Sequence, residues 1–106
     1  MLKYDDKGLI PVIVQHYKTG EMLMVAYANK ESLKLTLESG DMWFYSRSRQ
    51  ELWHKGGTSG NTLKVHSMQK DCDSDALLVQ ADPAGPVCHT GNRTCFFQSF
   101  TADDLN

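Results

Sequence analysis

The chain lacks what a membrane or exported protein would need. Its longest unbroken apolar run, Met22 to Ala28, falls far short of the roughly 20 residues of a membrane span. Its first residues, Met1-Leu2-Lys3-Tyr4-Asp5-Asp6, carry acids where a secretory leader would be apolar. These absences predict a cytoplasmic chain with reduced thiols. Cysteine is scarce and odd in number, three in all, so no complete intrachain disulfide framework exists. In a cytosolic protein, spaced cysteines more often bind metal or take part in catalysis. Charge of one sign is also missing: 11 Lys+Arg stand against 13 Asp+Glu, and no block is long enough to serve as a nucleic-acid tail.

What is present suffices for one domain over residues 1–106. With 41% hydrophobic and 23% charged residues the chain has too much to bury to stay disordered. At this length folding hides roughly 65% of the unfolded surface, so the core is thin and a partner or a metal would strengthen it. Leu9 to Gln15 and Glu21 to Tyr27, flanking Lys18-Thr19-Gly20, read as a hairpin, with Pro11 marking an edge strand or a bulge. Asn29 in N-cap position, Leu33 and Leu37 on one face and Gly40 at the stop predict a helix over Lys30 to Ser39. Further strands are expected at Met42 to Arg47, Leu63 to Met68, Ala76 to Ala81 and Cys95 to Phe100. The class is α+β: a small, strand-dominated single domain with one short helix.

Three motifs carry chemistry. The first is Cys72-x15-Cys88-x6-Cys95, which lacks the C-x2-C pairs of structural zinc modules. Three thiolates would fill three tetrahedral positions on zinc and leave the fourth open. Such a site is net negative, so its water is less acidified than at an all-histidine centre and a nearby base is desirable. His89, next to Cys88, is the candidate base or, equally, a fourth ligand closing a Cys₃His site. The second motif is Asp71-Cys72-Asp73-Ser74-Asp75. Its alternating carboxylates would share one side of an extended segment and suit a hard cation. At about 7 Å between alternate residues, all three reach one ion only if the segment bends or water completes the shell. The third runs from Arg47 to Asn61. Arg47, Arg49, Lys55, Thr58 and Ser59, set among glycines, are materials for a phosphate cradle, and Trp53 offers a stacking surface.

The strings WFYSRSR (43–49), ELWHKG (51–56), TSGN (58–61), DCDSD (71–75) and GPVCHTG (85–91) resemble the phosphoribosyl-AMP cyclohydrolase family of histidine biosynthesis, in its order and spacing, over about Gly8 to Phe97. One departure is Gly57, where the family usually has glutamate. The resemblance implies an intertwined homodimer and a hydrolase that opens the adenine ring of 1-(5-phosphoribosyl)-AMP between N1 and C6, the third step of the pathway. Zinc-held water would attack C6 and His89 would assist proton transfer. It also implies zinc shared by Cys72 of one chain with Cys88 and Cys95 of the other, and magnesium at Asp71, Asp73 and Asp75. Substrate would be held by Arg47, Arg49, Trp53, Lys55, Thr58 and Ser59. The tail from Gln98 to Asn106 has no room for the pyrophosphohydrolase domain often fused to this family, so one activity is expected, with no nucleic-acid or membrane partner. A zinc-stabilised module that binds nucleotides or RNA without chemistry is the rival reading, weakened by the −2 charge.

Overall fold

The computed structural model describes residues 1–106. The hairpin forms from β1 (Ile10–His16) and β2 (Met22–Ala28). It is followed by α1 (Lys30–Ser39), β3 (Trp43–Ser46), β4 (Glu51–His54), β5 (Leu63–Lys70) and β6 (Leu77–Pro83). A short 3-10 turn at Ala102–Leu105 comes last. A mixed sheet runs in the order β2-β1-β6-β5, with β1 and β6 parallel and the other neighbours antiparallel, while β3 and β4 pair as a separate ribbon. The expected α+β class, dominated by strands with one α-helix, is observed.

The helix ends where its caps dictate. The Asn29 side chain accepts from the Ser32 N–H at 2.8 Å and the Ser32 hydroxyl accepts from the Asn29 N–H at 2.9 Å, while Gly40 closes the last turn at φ +82°, a conformation that costs glycine little. The buried side of α1 is Ser32, Leu33 and Thr36. Leu37, expected to share the face of Leu33, is 76% exposed. The reason is that α1 meets β3 through a hydroxyl: Thr36 Oγ1 accepts from the Trp43 N–H at 3.0 Å and donates to the Ser32 carbonyl at 2.8 Å.

Two strand expectations need correction. β1 is central, not an edge, because it pairs with both β2 and β6. The parallel ladder to β6 begins at Val12, one residue past Pro11, so the missing N–H falls where β1 has one neighbour only. The bulge lies in β2, where Val14 faces Met24 and Gln15 faces Met22, leaving Leu23 unpaired. No strand forms over Cys95 to Phe100. That segment is instead pinned to the bulge by single bonds, with the Cys95 N–H donating to the Leu23 carbonyl at 2.8 Å and the Thr94 hydroxyl to the Met22 carbonyl at 2.6 Å. A bulged edge presents no regular ladder for a further strand to extend.

The core forms where Ile10, Val12 and Val14 of β1 and Val79 and Ala81 of β6 meet Phe44 of β3. The opposite face of the sheet has no covering layer, and Ile13 and Val25 are 40% and 53% exposed there. Parallel pairing of β1 with β6 sets the ends of the molecule. The β1–β2 turn and the loop leaving β6 share one end, and the β5–β6 turn lies at the other. The first end is clamped by Arg93, whose Nε and Nη2 donate to the two carboxylate oxygens of Glu21, each at 2.9 Å.

Thr36→Val removes the acceptor of the Trp43 N–H with little change of volume and should destabilise the fold by about 1–3 kcal/mol in urea unfolding; unchanged stability would exclude the hydroxyl as the link between α1 and β3. The Arg93 guanidinium holds the Glu21 carboxyl below its ordinary 4.5. The pair therefore contributes fully above about pH 4.5 and is lost as pH falls through the lower folded value. The gap in melting temperature between the wild type and Glu21→Gln should be steady near neutrality and close on acidification.

Candidate active site

Two loops build the cleft. The β3–β4 ribbon delivers Trp53 and Lys55 to the loop over residues 56–61, a strand that the glycine-rich and charged composition of this region concealed at the level of sequence. The chain leaving β6 delivers residues 85–91. Asn61 wedges between them. A Cβ on Gly56, itself at φ +78°, would fall 2.3 Å from the Asn61 backbone, and one on Gly85 would fall 2.3 Å from Asn61 Oδ1. The Ala84 N–H donates to the Thr62 carbonyl at 2.9 Å, and Lys55 Nζ donates to the Val87 carbonyl. The result is a cleft of about 400 Å³. Arg49, Trp53, Lys55, Thr58 and Ser59 line it together with Cys88 and His89, so most of the expected substrate residues converge with part of the expected metal site. Arg47 does not join them; its guanidinium lies 4.0 Å from the centre of the Tyr27 ring.

Cys88 is buried and Cys95 exposed, both as free thiols, and each bears on the ionisation of the other. The Thr90 hydroxyl donates to Cys88 Sγ at 3.1 Å. That bond, with help from the Thr90 backbone, Cys95 and the Lys55 charge, lowers the Cys88 pKa, whereas desolvation and the neighbouring Cys88 raise that of Cys95. One sulfur of the pair is thus prepared for ionisation and the other restrained. Lys55, read from sequence as a phosphate anchor, stands between the Trp53 ring, 5.4 Å away, and the Val87 carbonyl, with its charge felt by both sulfurs. Nothing in the spacing of residues marked that role.

Cys72 is absent from this pair. It sits in the β5–β6 turn, and the seven residues of β6 separate that turn from the loop of Cys88 by about 23 Å at 3.3 Å per residue. No three His, Cys, Asp or Glu side chains of the single chain converge to hold an ion. The acidic motif is not extended, as the alternating pattern had implied, but folds into a turn with Ser74 at φ +61°. Asp71 Oδ1 accepts from the N–H groups of Asp75 and Ala76 at 3.0 and 3.3 Å. Desolvation opposes ionisation of Asp71, yet these bonds and one with the Asp75 carboxyl outweigh it and lower its pKa; the same carboxyl–carboxyl bond raises Asp75. The bend pairs Asp71 with Asp75 and keeps Asp73 close enough for its backbone to bear on Asp71 and its charge on Asp75.

The sequence departure at Gly57 has a local counterpart. A Cβ there would stand 2.9 Å from Nδ1 of His54, whose ring is stacked on Trp43 at 4.6 Å and 9°. Glycine leaves that imidazole its seat. Nε2 of His54 is buried without a hydrogen bond, 3.5 Å from Asp41 Oδ2.

Comparison with known proteins identifies the family of the chain. A family model described as phosphoribosyl-AMP cyclohydrolase matches residues 24–97, which span β2 to the Cys95 segment. The chain is 59% identical over 91 residues to a phosphoribosyl-AMP cyclohydrolase of Clostridium beijerinckii, covering 86% of this chain and 84% of that protein. It is 56% identical over 91 residues to one of Clostridium botulinum, covering 86% and 83%. It is also 63% identical over 99 residues to the histidine biosynthesis bifunctional protein HisIE of Caldanaerobacter subterraneus subsp. tengcongensis, covering 93% of this chain and 48% of the relative. The chain thus spans about half the length of the bifunctional relatives it matches. By the family model and these relatives, the chain belongs to the phosphoribosyl-AMP cyclohydrolase family.

Proposed function

We propose that this chain hydrolyses the N1–C6 bond of the adenine ring in 1-(5-phosphoribosyl)-AMP, the third step of L-histidine biosynthesis, as a zinc-dependent homodimer. The observation that carries the reading is the cleft that joins Cys88 and His89 to the cationic and hydroxyl side chains of the loop after β4. A substrate with two phosphates and a nucleobase needs all three chemistries within one space. Arg49, Lys55, Thr58 and Ser59 bind phosphate oxygens there, and Trp53 offers a ring face to the base. Arg47, on Tyr27, serves a phosphate that extends beyond the cleft.

The donor set fits zinc in chemistry but is one thiolate short. Cys88 and Cys95 are soft ligands already side by side, and the third, Cys72, comes from a second copy of the chain. The uncovered sheet face with Ile13 and Val25, and the exposed Phe96 and Phe100, supply apolar surface for that association. Zinc held by these three thiolates would supply Lewis acidity for the activation of water. His89 takes a proton from the attacking water as oxygen bonds to C6, then returns one to N1 as the C6–N1 bond breaks, leaving a carboxamide at C6. Asp71, Asp73 and Asp75 would hold magnesium, a hard cation suited to carboxylate oxygens, which would supply positive charge toward a substrate phosphate.

Ring opening, followed by its ultraviolet change, should vanish on zinc chelation and return on adding zinc back. His89→Ala should lower turnover by about 10²–10⁴-fold while keeping bound zinc; loss of zinc along with activity would make His89 a ligand. Mixing inactive Cys72→Ser and Cys88→Ser chains should restore roughly a quarter of wild-type activity, since half of the exchanged dimers carry one intact site of two. No recovery after verified exchange would sink the shared site.

A further inference from the structure

We propose that Thr90, oriented by Asn92, is a positioning residue for zinc at Cys88: its hydroxyl is held as an obligate donor to the ligand sulfur. The inference rests on the zinc reading above and adds two residues to it. A threonine hydroxyl owns one proton and can accept through its lone pairs. Asn92 Nδ2 donates to Thr90 Oγ1 at 2.8 Å, which fills an acceptor position and turns the single proton away from the amide. The only sulfur or oxygen then receiving it is Cys88 Sγ, 3.1 Å away.

The relay sits in a closed turn, so its geometry does not depend on a mobile side chain finding its partner. The Cys88 N–H donates to the Asn92 carbonyl at 3.1 Å, and the Gly91 N–H to the Cys88 carbonyl at 2.9 Å. Gly91 adopts φ +92°, a conformation that favours glycine and brings Asn92 back over Thr90. The electrostatic need is specific to a thiolate centre. Three thiolates on Zn²⁺ leave an excess negative charge, and a fixed O–H aimed at one sulfur offsets part of it while holding that sulfur in one rotamer. Hydrogen-bond partners of metal ligands typically govern 10–100-fold in affinity.

Direction is what separates this role from a structural one. In Asn92→Asp the carboxylate accepts the Thr90 proton, so the hydroxyl presents a lone pair to the sulfur and its effect reverses although Thr90 is intact. The test is the zinc dissociation constant of the full chain, measured by competition with a chromophoric chelator, with thiolate-to-metal charge-transfer absorption of the cobalt-substituted protein as a second readout. Thr90→Val should weaken zinc binding by about 10-fold or more, Thr90→Ser should stay within about twofold of the wild type, and Asn92→Asp should be at least as weak as Thr90→Val. The charge-transfer bands of Thr90→Val and Asn92→Asp should shift, and the metal-free melting temperatures of all three should match the wild type. Wild-type affinity in Thr90→Val or Asn92→Asp overturns the relay while leaving the zinc reading standing, as does a loss explained by a lowered metal-free melting temperature. A wild-type chain that binds no zinc overturns both.

Discussion

Strand β6 acts as a rigid spacer between the two halves of the chemistry. Its seven residues part the acidic turn bearing Cys72 from the loop bearing Cys88, and its parallel pairing with β1 prevents the chain from folding one end onto the other. Extended chain locked in a sheet cannot be shortened. Within one chain the three thiols therefore do not converge, and the same layout leaves a thin core and an uncovered sheet face.

Within the cleft the problem is to gather charges without letting them repel or disperse. Lys55 lies where its ammonium can face two sulfurs, and the Thr90 hydroxyl adds a neutral donor to one of them. The Arg93–Glu21 pair keeps the segment between Cys88 and Cys95 against the β1–β2 turn, while the Leu23 bulge supplies the carbonyl that holds Cys95. Each tether is local and modest. Together they confine a loop that has no regular secondary structure of its own, which is how a precise site is built on irregular chain. The glycines at 56 and 85 serve the same end by sparing the space that Asn61 fills.

Much of this was legible in advance wherever short-range physics decides. The helix boundaries followed from Asn29 and Gly40, the hairpin from two apolar-rich runs flanking Lys18-Thr19-Gly20, and the cleft-forming loop from its mix of cations, hydroxyls and glycines. The failures share a cause. β4 was hidden because Glu51-Leu52-Trp53-His54 is short and its pairing with β3 is not written in its own composition. Phe96, Phe97 and Phe100 looked like a strand, yet the only edge near them is bulged. Pro11 looked like an edge signal, and the offset of one residue between two ladders made it compatible with a central strand.

The sequence by itself determined the local conformations and the inventory of reactive groups: three reduced thiols, one histidine beside them, three carboxylates in alternation and a cationic loop. Backbone φ preferences, caps and ligand chemistry act within a few residues, so they can be read from the chain in order. The tertiary structure alone decided which of those groups meet. It joined Cys88 and His89 to Lys55, Thr58 and Ser59, set Arg47 on Tyr27 instead, bent the acidic motif so that Asp71 meets Asp75, and sent Cys72 to the far end of the sheet. Those outcomes follow from strand order and direction, which depend on pairing between segments distant in sequence and carry no local signature.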